Sequence, residues 1–263
     1  YASGAQGLEA KLEKCFMGLS PDWCTTPAQT VNYASCHDNM TLIDRIAVST
    51  PDASRADQIK MNNLSAAIYM TSEGIPFMQA GEEMLRTKVK SDGSFDHNSY
   101  SSGDKINQLK WEDLAKDEYQ QVFEYYKGLI AFRKAHGALR LTNAADVRSN
   151  VVPSKGMPTN VVAFYINGGV NGETAEALYV IFNANPEAAE ITLPEGKWNV
   201  YIDGEKAGTQ VLRTVKDGKV SVDGISAMVL AKDGNSAEGS NSAFLIAGIV
   251  AVVIMAAAAG FVI

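Results

Sequence analysis

The sequence predicts an α/β part over residues 1–143, an all-β part over 144–232, a polar linker over 233–242 and a membrane-spanning helix over 243–263. Three observations predict this order. Two short apolar runs alternate with helical stretches in the first half. Closely spaced β-rich runs fill the region after Ala144. The last 21 residues carry no charge.

The elements follow in order. "GLEAKLEKCFMGL" has helical spacing, and "SPDWCTTP" breaks it. Residues 31–36, "VNYASC", form a short apolar run read as a buried strand. Pro51 and the Ser and Asp residues around it open a helix over 55–72, with Ile59, Leu64, Ala67 and Ile68 near one stripe, and Gly74 ends it. "IPFMQAG" at 75–81, bounded by turn residues, reads as a second buried strand. A long polar loop runs from Arg86 to Trp111; loops of that length are usually functional or disordered. A helix over 117–139 places Tyr119, Val122, Phe123, Tyr126, Leu129 and Ile130 on one continuous face.

After Ala144, "NVVAFYI", "EALYVIFNA", "AEITLP", "KWNVYID", "GTQVLRTV", "GKVSVDG" and "SAMVLAK" are separated by Gly, Asn, Asp or Pro. Short strands at that spacing predict an antiparallel sandwich. The polar stretch "KDGNSAEGSNS" reads as a tether. The uncharged segment 243–263 has no polar face, and at about 1.5 Å per residue a helix of that length crosses a bilayer core. Two strands and two helices close neither a barrel nor a doubly wound sheet. The chain also does not begin with Met, so a piece of a longer protein is expected, with further elements upstream of Tyr1.

Composition excludes some functions. The net charge is −7 and no block of Lys and Arg stands out, which argues against nucleic acid. The three histidines and three cysteines show no metal-ligand spacing. Cys15 and Cys24 pair in an oxidising compartment or stay free, two readings of equal weight. Cys36 reads as a small core residue.

"VNYASCHDNMTLIDRI", "EGIPFMQAGEEMLRTK" and "DHNSYSSGDKINQLKW", in that order and spacing, resemble conserved stretches of type I pullulanases, bacterial starch-debranching members of the α-amylase superfamily. The resemblance implies the C-terminal part of a (β/α)8 barrel followed by a β-sandwich. Residues 31–38 become barrel strand seven and 75–81 strand eight. Active sites of such barrels lie at the carboxyl ends of the strands, where His37 and Asp38 stand.

Retaining glycoside hydrolysis needs a nucleophilic carboxylate and an acid/base carboxylate. The family carries these after strands four and five, which are expected upstream of Tyr1. To Asp38 the resemblance assigns the third carboxylate, which holds sugar hydroxyls as the ring flattens toward an oxocarbenium ion. His37 binds the same ring. Asp104 resembles a loop aspartate that contacts a more distant glucose; where some relatives carry an Arg four residues later, this chain has Gln108. Asn98 and Tyr100 line the same cleft or pack within the loop. Glu82 and Glu83 read as carboxylates that orient neighbours, and His97 and His136 as surface polar residues, His136 suiting a helix C-terminus.

The expected function is cleavage of α-1,6-glucosidic links in pullulan, amylopectin or glycogen, at the extracellular face of a bacterial membrane that the C-terminal helix anchors. The expected partners are an α-glucan and the membrane. No cofactor is expected; calcium, common in the wider family, has no ligand cluster of defined spacing here. The alternatives are a non-catalytic glucan-holding and membrane-anchoring module, or an amylase relative acting on α-1,4 links.

Overall fold

Between residues 31 and 76 the chain forms a parallel βαβ unit. Strand β1 (Val31–Asn32) leads through helices α2 (Leu42–Ser49) and α3 (Arg55–Thr71) to strand β2 (Ile75–Pro76), with Val31 opposite Ile75 and Asn32 opposite Pro76. A parallel pair needs a crossover of this kind. The computed structural model describes residues 1–19, 23–216 and 218–233. Residues 1–233 form one compact unit. The predicted membrane span and nearly all of the predicted linker lie outside the described residues. Asp233, placed in that linker, is the last residue of a strand instead. Among the described residues no helix is long and apolar enough to cross a membrane.

Both predicted barrel strands are shorter and more exposed than expected. Only two residues of each have ladder pairing, and Val31, Tyr33, Ile75 and Phe77 are exposed. Each strand pairs with the other alone, so the apolar side chains that make the runs look buried have no covering layer among the described residues. The βαβ unit is not closed into a barrel there. Cys36 is half-buried, no core residue, for the same reason. Cys15 and Cys24 are free thiols, exposed and buried respectively.

Helix α2 was not expected. Thr41 caps it, accepting a hydrogen bond from the Asp44 N–H at 3.4 Å. Ser54 caps α3 in the same way through the Asp57 N–H at 3.1 Å. The chain leaves α3 through Gly74, at φ +99°, where a Cβ would lie 2.2 Å from Thr30 Oγ1. Beside it Glu73 is wholly buried. One of its oxygens accepts from the Leu141 N–H at 2.8 Å, and the other is buried without a hydrogen-bond partner. Arg133 is buried nearby and donates to the carbonyls of Met70, Ser72 and Gly74. Burial pushes the Glu73 carboxyl up to about 8, against the opposing pull of the Leu141 N–H and Arg133.

The loop after β2 is less irregular than its composition suggests. It carries a short hairpin with Val89 opposite Phe95, then helix α4 (Asp104–Asn107). Helix α5 (Asp117–Ala135) is the expected long helix, and it ends four residues early in a short 3-10 turn over Gly137–Leu139. Its buried face is rotated from the expected one. Val122, Tyr125, Tyr126, Leu129 and Phe132 are buried, whereas Ile130 is exposed. The aromatic run at 125–126 and Phe132 offers more area to the sheet than Phe123 and Ile130.

Helices α1 (Glu9–Met17), α3 and α5 pack on one face of a six-stranded antiparallel sheet. Its strands are β3 (Val151–Pro153), β4 (Val161–Asn167), β5 (Ala175–Asn183), β7 (Lys197–Ile202), β8 (Arg213–Lys216) and β10 (Ser226–Asp233), in spatial order β3-β4-β5-β10-β7-β8. The pair β6 (Ala189–Thr192) and β9 (Lys219–Val222) covers the other face. Helix α6 (Ala144–Asn150) stands before β3. The alternation decides which residue faces which layer. Phe164, Val180 and Phe182 join the helical core, while Ala163, Tyr179, Ile181 and Trp198 join the core under β6 and β9. Because β4, β5 and β10 are covered on both faces, they read as continuous apolar runs. Phe16 of α1 stacks on Phe164 with centroids 3.8 Å apart, and Tyr1 donates its hydroxyl to the Asn160 and Phe182 carbonyls at 2.7 and 2.8 Å.

His136 is not a surface residue. Its ring sits against Phe132 and its Nδ1 lies 3.1 Å from the buried carboxylate of Glu173. Glu173 lies in the connection before β5, 37 residues away, so no local pattern announces the pair.

Candidate functional site

The segment leaving β1 carries Ser35, His37, Asp38 and Asn39 to the mouth of the parallel pair. Ser35 turns inward and donates to Glu82 Oε2 at 2.6 Å. Glu82 follows β2 and is buried. Its other oxygen accepts from Tyr69 of α3 at 2.6 Å and Tyr126 of α5 at 3.1 Å. Burial raises the Glu82 carboxyl, and the three hydroxyls work against that rise. A carboxylate committed to three hydroxyls is a hub that orients its neighbours, as the sequence reading has it. Glu83 accepts from the Gly81 N–H at 2.9 Å.

Beyond Ser35 the chain turns into water. Asn39 adopts the left-handed conformation at φ +66°, and its side chain accepts from the Met40 N–H and from Arg45. His37 Nε2 and Asp38 Oδ2 lie 3.5 Å apart with side chains 87% and 83% exposed. They form the rim of an open concavity of about 250 Å³. His97, Asn98 and Tyr100 form another part of its lining, and Gln79, Arg86 and Lys88 are also on its wall.

The 86–108 loop holds its shape through its own polar groups. Asp96 accepts from the Asn98 N–H at 3.0 Å and the Ser102 hydroxyl at 2.6 Å, which hold its carboxyl below the usual range. Asn107 donates to the carbonyls of Ser99 and Ser102, and Arg86 donates to the Asn107 carbonyl. Asp44 of α2, 1% exposed, accepts from the Thr87 hydroxyl and from the Lys88 N–H at 2.8 Å.

The structure therefore brings His37, Asp38, Asn98 and Tyr100 to one concavity. It leaves Asp104 off the concavity's wall, exposed in the first turn of α4. His97, read as surface polar, is exposed and lines the same wall. Arg86 and Lys88 are residues the sequence reading missed; two cations in a polar loop give no signal of burial. Both have lowered affinity for their protons, chiefly through desolvation. Among the described residues no group of His, Cys, Asp and Glu is arranged to hold a metal ion.

The family model described as the pullulanase all-beta domain matches residues 147–206, which run from α6 to past the end of β7. The pullulanase of Bacillus subtilis strain 168 is 30% identical over 205 residues, covering 78% of this chain and 27% of that protein. The structure of a pullulanase from Bacillus acidopullulyticus superposes with a TM-score of 0.82 at 37% identity, covering 88% of this chain and 27% of that one.

The chain matches a C-terminal portion of a type I pullulanase.

It spans about a quarter of the length of those two pullulanases. A third similar structure, the pullulanase from Paenibacillus barengoltzii in complex with maltohexaose and alpha-cyclodextrin, has a TM-score of 0.78 at 38% identity. It covers 89% of this chain and 35% of that pullulanase. The matched regions take in both the βαβ unit and the sandwich, since 88% coverage cannot be met by either part alone.

Proposed function

We propose that this chain is the C-terminal part of a starch-debranching glycoside hydrolase that cleaves α-1,6-glucosidic links in pullulan, amylopectin or glycogen with retention of configuration. In this reading residues 1–143 complete a (β/α)8 barrel, 144–233 are its β-sandwich domain, and 234–263 tether the enzyme to the outer face of a bacterial membrane. The observation that carries the proposal is the shared concavity. His37, Asp38, Asn98 and Tyr100, drawn from two segments some 60 residues apart, meet at the exit of a parallel strand pair in a chain whose relatives are pullulanases.

In this mechanism Asp38 accepts hydrogen bonds from sugar hydroxyls beside the reacting carbon. Those bonds strengthen as positive charge develops on the ring, so they lower the barrier more than they tighten ground-state binding. His37 donates to the same ring and Tyr100 offers an exposed apolar face to a neighbouring one. The nucleophile and the acid/base belong to a part of the enzyme outside this chain. The cleft wall described here holds one carboxylate, Asp38, whereas the retaining reaction needs two.

Full-length protein incubated with pullulan and followed by proton NMR tests the reading. Loss of the α-1,6 anomeric signal with first-formed product in the α configuration is the expected result. Loss of the α-1,4 signal instead supports the amylase alternative, and an unchanged spectrum supports the glucan-holding module.

A further inference from the structure

Lys88 has a chemistry that the proposed reaction does not account for. It is 2% exposed, yet it carries an ammonium into a cleft that binds a neutral sugar under the reading above. Burying a charge is costly, and an isolated one is kept only where partners repay the desolvation. Here the partners are specific. The ammonium donates to the backbone carbonyl of His37 at 3.2 Å and to that of Asn39 at 3.4 Å, the two residues on either side of Asp38. Asp44, Asp96 and Asp38 all attract it, against desolvation and the repulsion of Arg86.

The clamp is itself anchored. The Lys88 N–H donates to Asp44, and the Lys88 carbonyl accepts from the Asp96 N–H at 2.8 Å. Asp44 sits in the first turn of α2, whose cap, Thr41, is three residues after Asp38. The exposed turn 37–40 is thus fixed from below by one side chain and downstream by the helix cap. Without the clamp, the His37 and Asn39 carbonyls lose their common donor, and the turn that carries the Asp38 carboxylate keeps only the bonds from the Met40 N–H and Arg45 to the Asn39 side chain.

We infer that Lys88 is a positioning residue for Asp38: by bonding the carbonyls of residues 37 and 39 it fixes the backbone from which the carboxylate reaches the sugar. This rests on the proposed role of Asp38. A single ammonium reaching two carbonyls one residue apart is suited to it, because three donors on a flexible stem adapt to a turn as a planar guanidinium does not.

The test is a double-mutant cycle in the full-length protein, with pullulan as substrate and maltotetraose as the ground-state ligand. The variants are Lys88→Met, Asp38→Asn and the pair together. Misplacing a reacting group by about 1 Å costs on the order of 100-fold, so Lys88→Met should lower kcat by roughly ten- to 100-fold, with KM and maltotetraose affinity changed less than about threefold. Because Lys88 acts through Asp38, the double variant should be within about twofold of Asp38→Asn alone. Multiplying losses, or a Lys88→Met kcat within about twofold of wild type, overturn the inference. If Lys88→Met lacks the near-ultraviolet dichroism of the folded protein, Lys88→Gln, polar but neutral and with its nitrogen one bond shorter than the ammonium, takes its place under the same criteria. Wild-type protein that leaves pullulan intact, or an Asp38→Asn variant with wild-type turnover, removes the functional reading itself. A silent Lys88 beside a crippling Asp38→Asn removes only the clamp.

Discussion

Glu73→Gln converts a buried charge problem into a measurable pH dependence. In the folded chain the carboxyl is wholly buried, has one oxygen without a partner, and is held protonated up to about pH 8. In the unfolded chain it ionises near its ordinary value of 4.5. Between those two values the unfolded state has lost a proton that the folded state keeps, so folding stability falls as pH rises, by about 1.4 kcal/mol per pH unit. From pH 4 to pH 8 the loss attributable to this one group approaches ~4 kcal/mol, a large share of a typical domain's stability. Gln carries no titrating proton. Relative to wild type it should be near neutral at pH 4 and increasingly stabilising toward pH 8. Urea unfolding of both proteins at intervals from pH 4 to pH 8 reads the difference directly. A wild-type minus variant difference that stays constant across that range would show that Glu73 does not titrate in this window, and the reasoning would fail.

Other perturbations act on the packing. Phe16→Ala removes a ring stacked on Phe164 with no exposure of its own, and should cost ~3–5 kcal/mol in denaturant unfolding. Gly128→Ala drives a Cβ to 2.0 Å from the Ala207 carbonyl; the sheet connection must shift, and a loss of ~1–3 kcal/mol is expected in place of the usual gain in helix propensity. Glu173 runs opposite to Glu73. Desolvation raises its carboxyl, but His136 and the N–H groups of Ala175 and Ala138 outweigh that and leave it below the ordinary value. Its contribution is therefore present above about pH 4.5 and lost as pH falls through its lower folded value. Glu173→Gln should cost ~1–3 kcal/mol at pH 7 and progressively less on acidification.

The sequence made the sandwich legible because β4, β5, β7 and β10 are apolar runs bounded by turn residues, and both faces of the sheet are covered whatever lies elsewhere. The lengths of β1 and β2 were not legible. A run such as "VNYASC" promises burial, but pairing and cover come from neighbours that a linear pattern does not show, and here Val31 and Tyr33 stand exposed. Helix α2 had a readable signal that went unused: Thr41 followed three residues later by Asp44 is a capping pattern. His37 and Asp38 were singled out through the motifs that flank them, and the structure sets them on the same concavity as Asn98 and Tyr100. Asp104, expected to contact a more distant glucose, stands in the first turn of α4, outside the lining of this concavity. Lys88 and the His136–Glu173 pair were invisible because their partners are 37 or more residues distant, and burial of a charged residue is a tertiary property.

The central claim is that Asp38 stabilises the reacting sugar in its cation-like state. Steady-state hydrolysis of pullulan by the full-length enzyme and its Asp38→Asn variant tests it most directly. The account predicts a fall in kcat of roughly 100- to 1000-fold with a much smaller change in KM. A variant that turns over pullulan within about tenfold of wild type, or that loses affinity while keeping kcat, contradicts it.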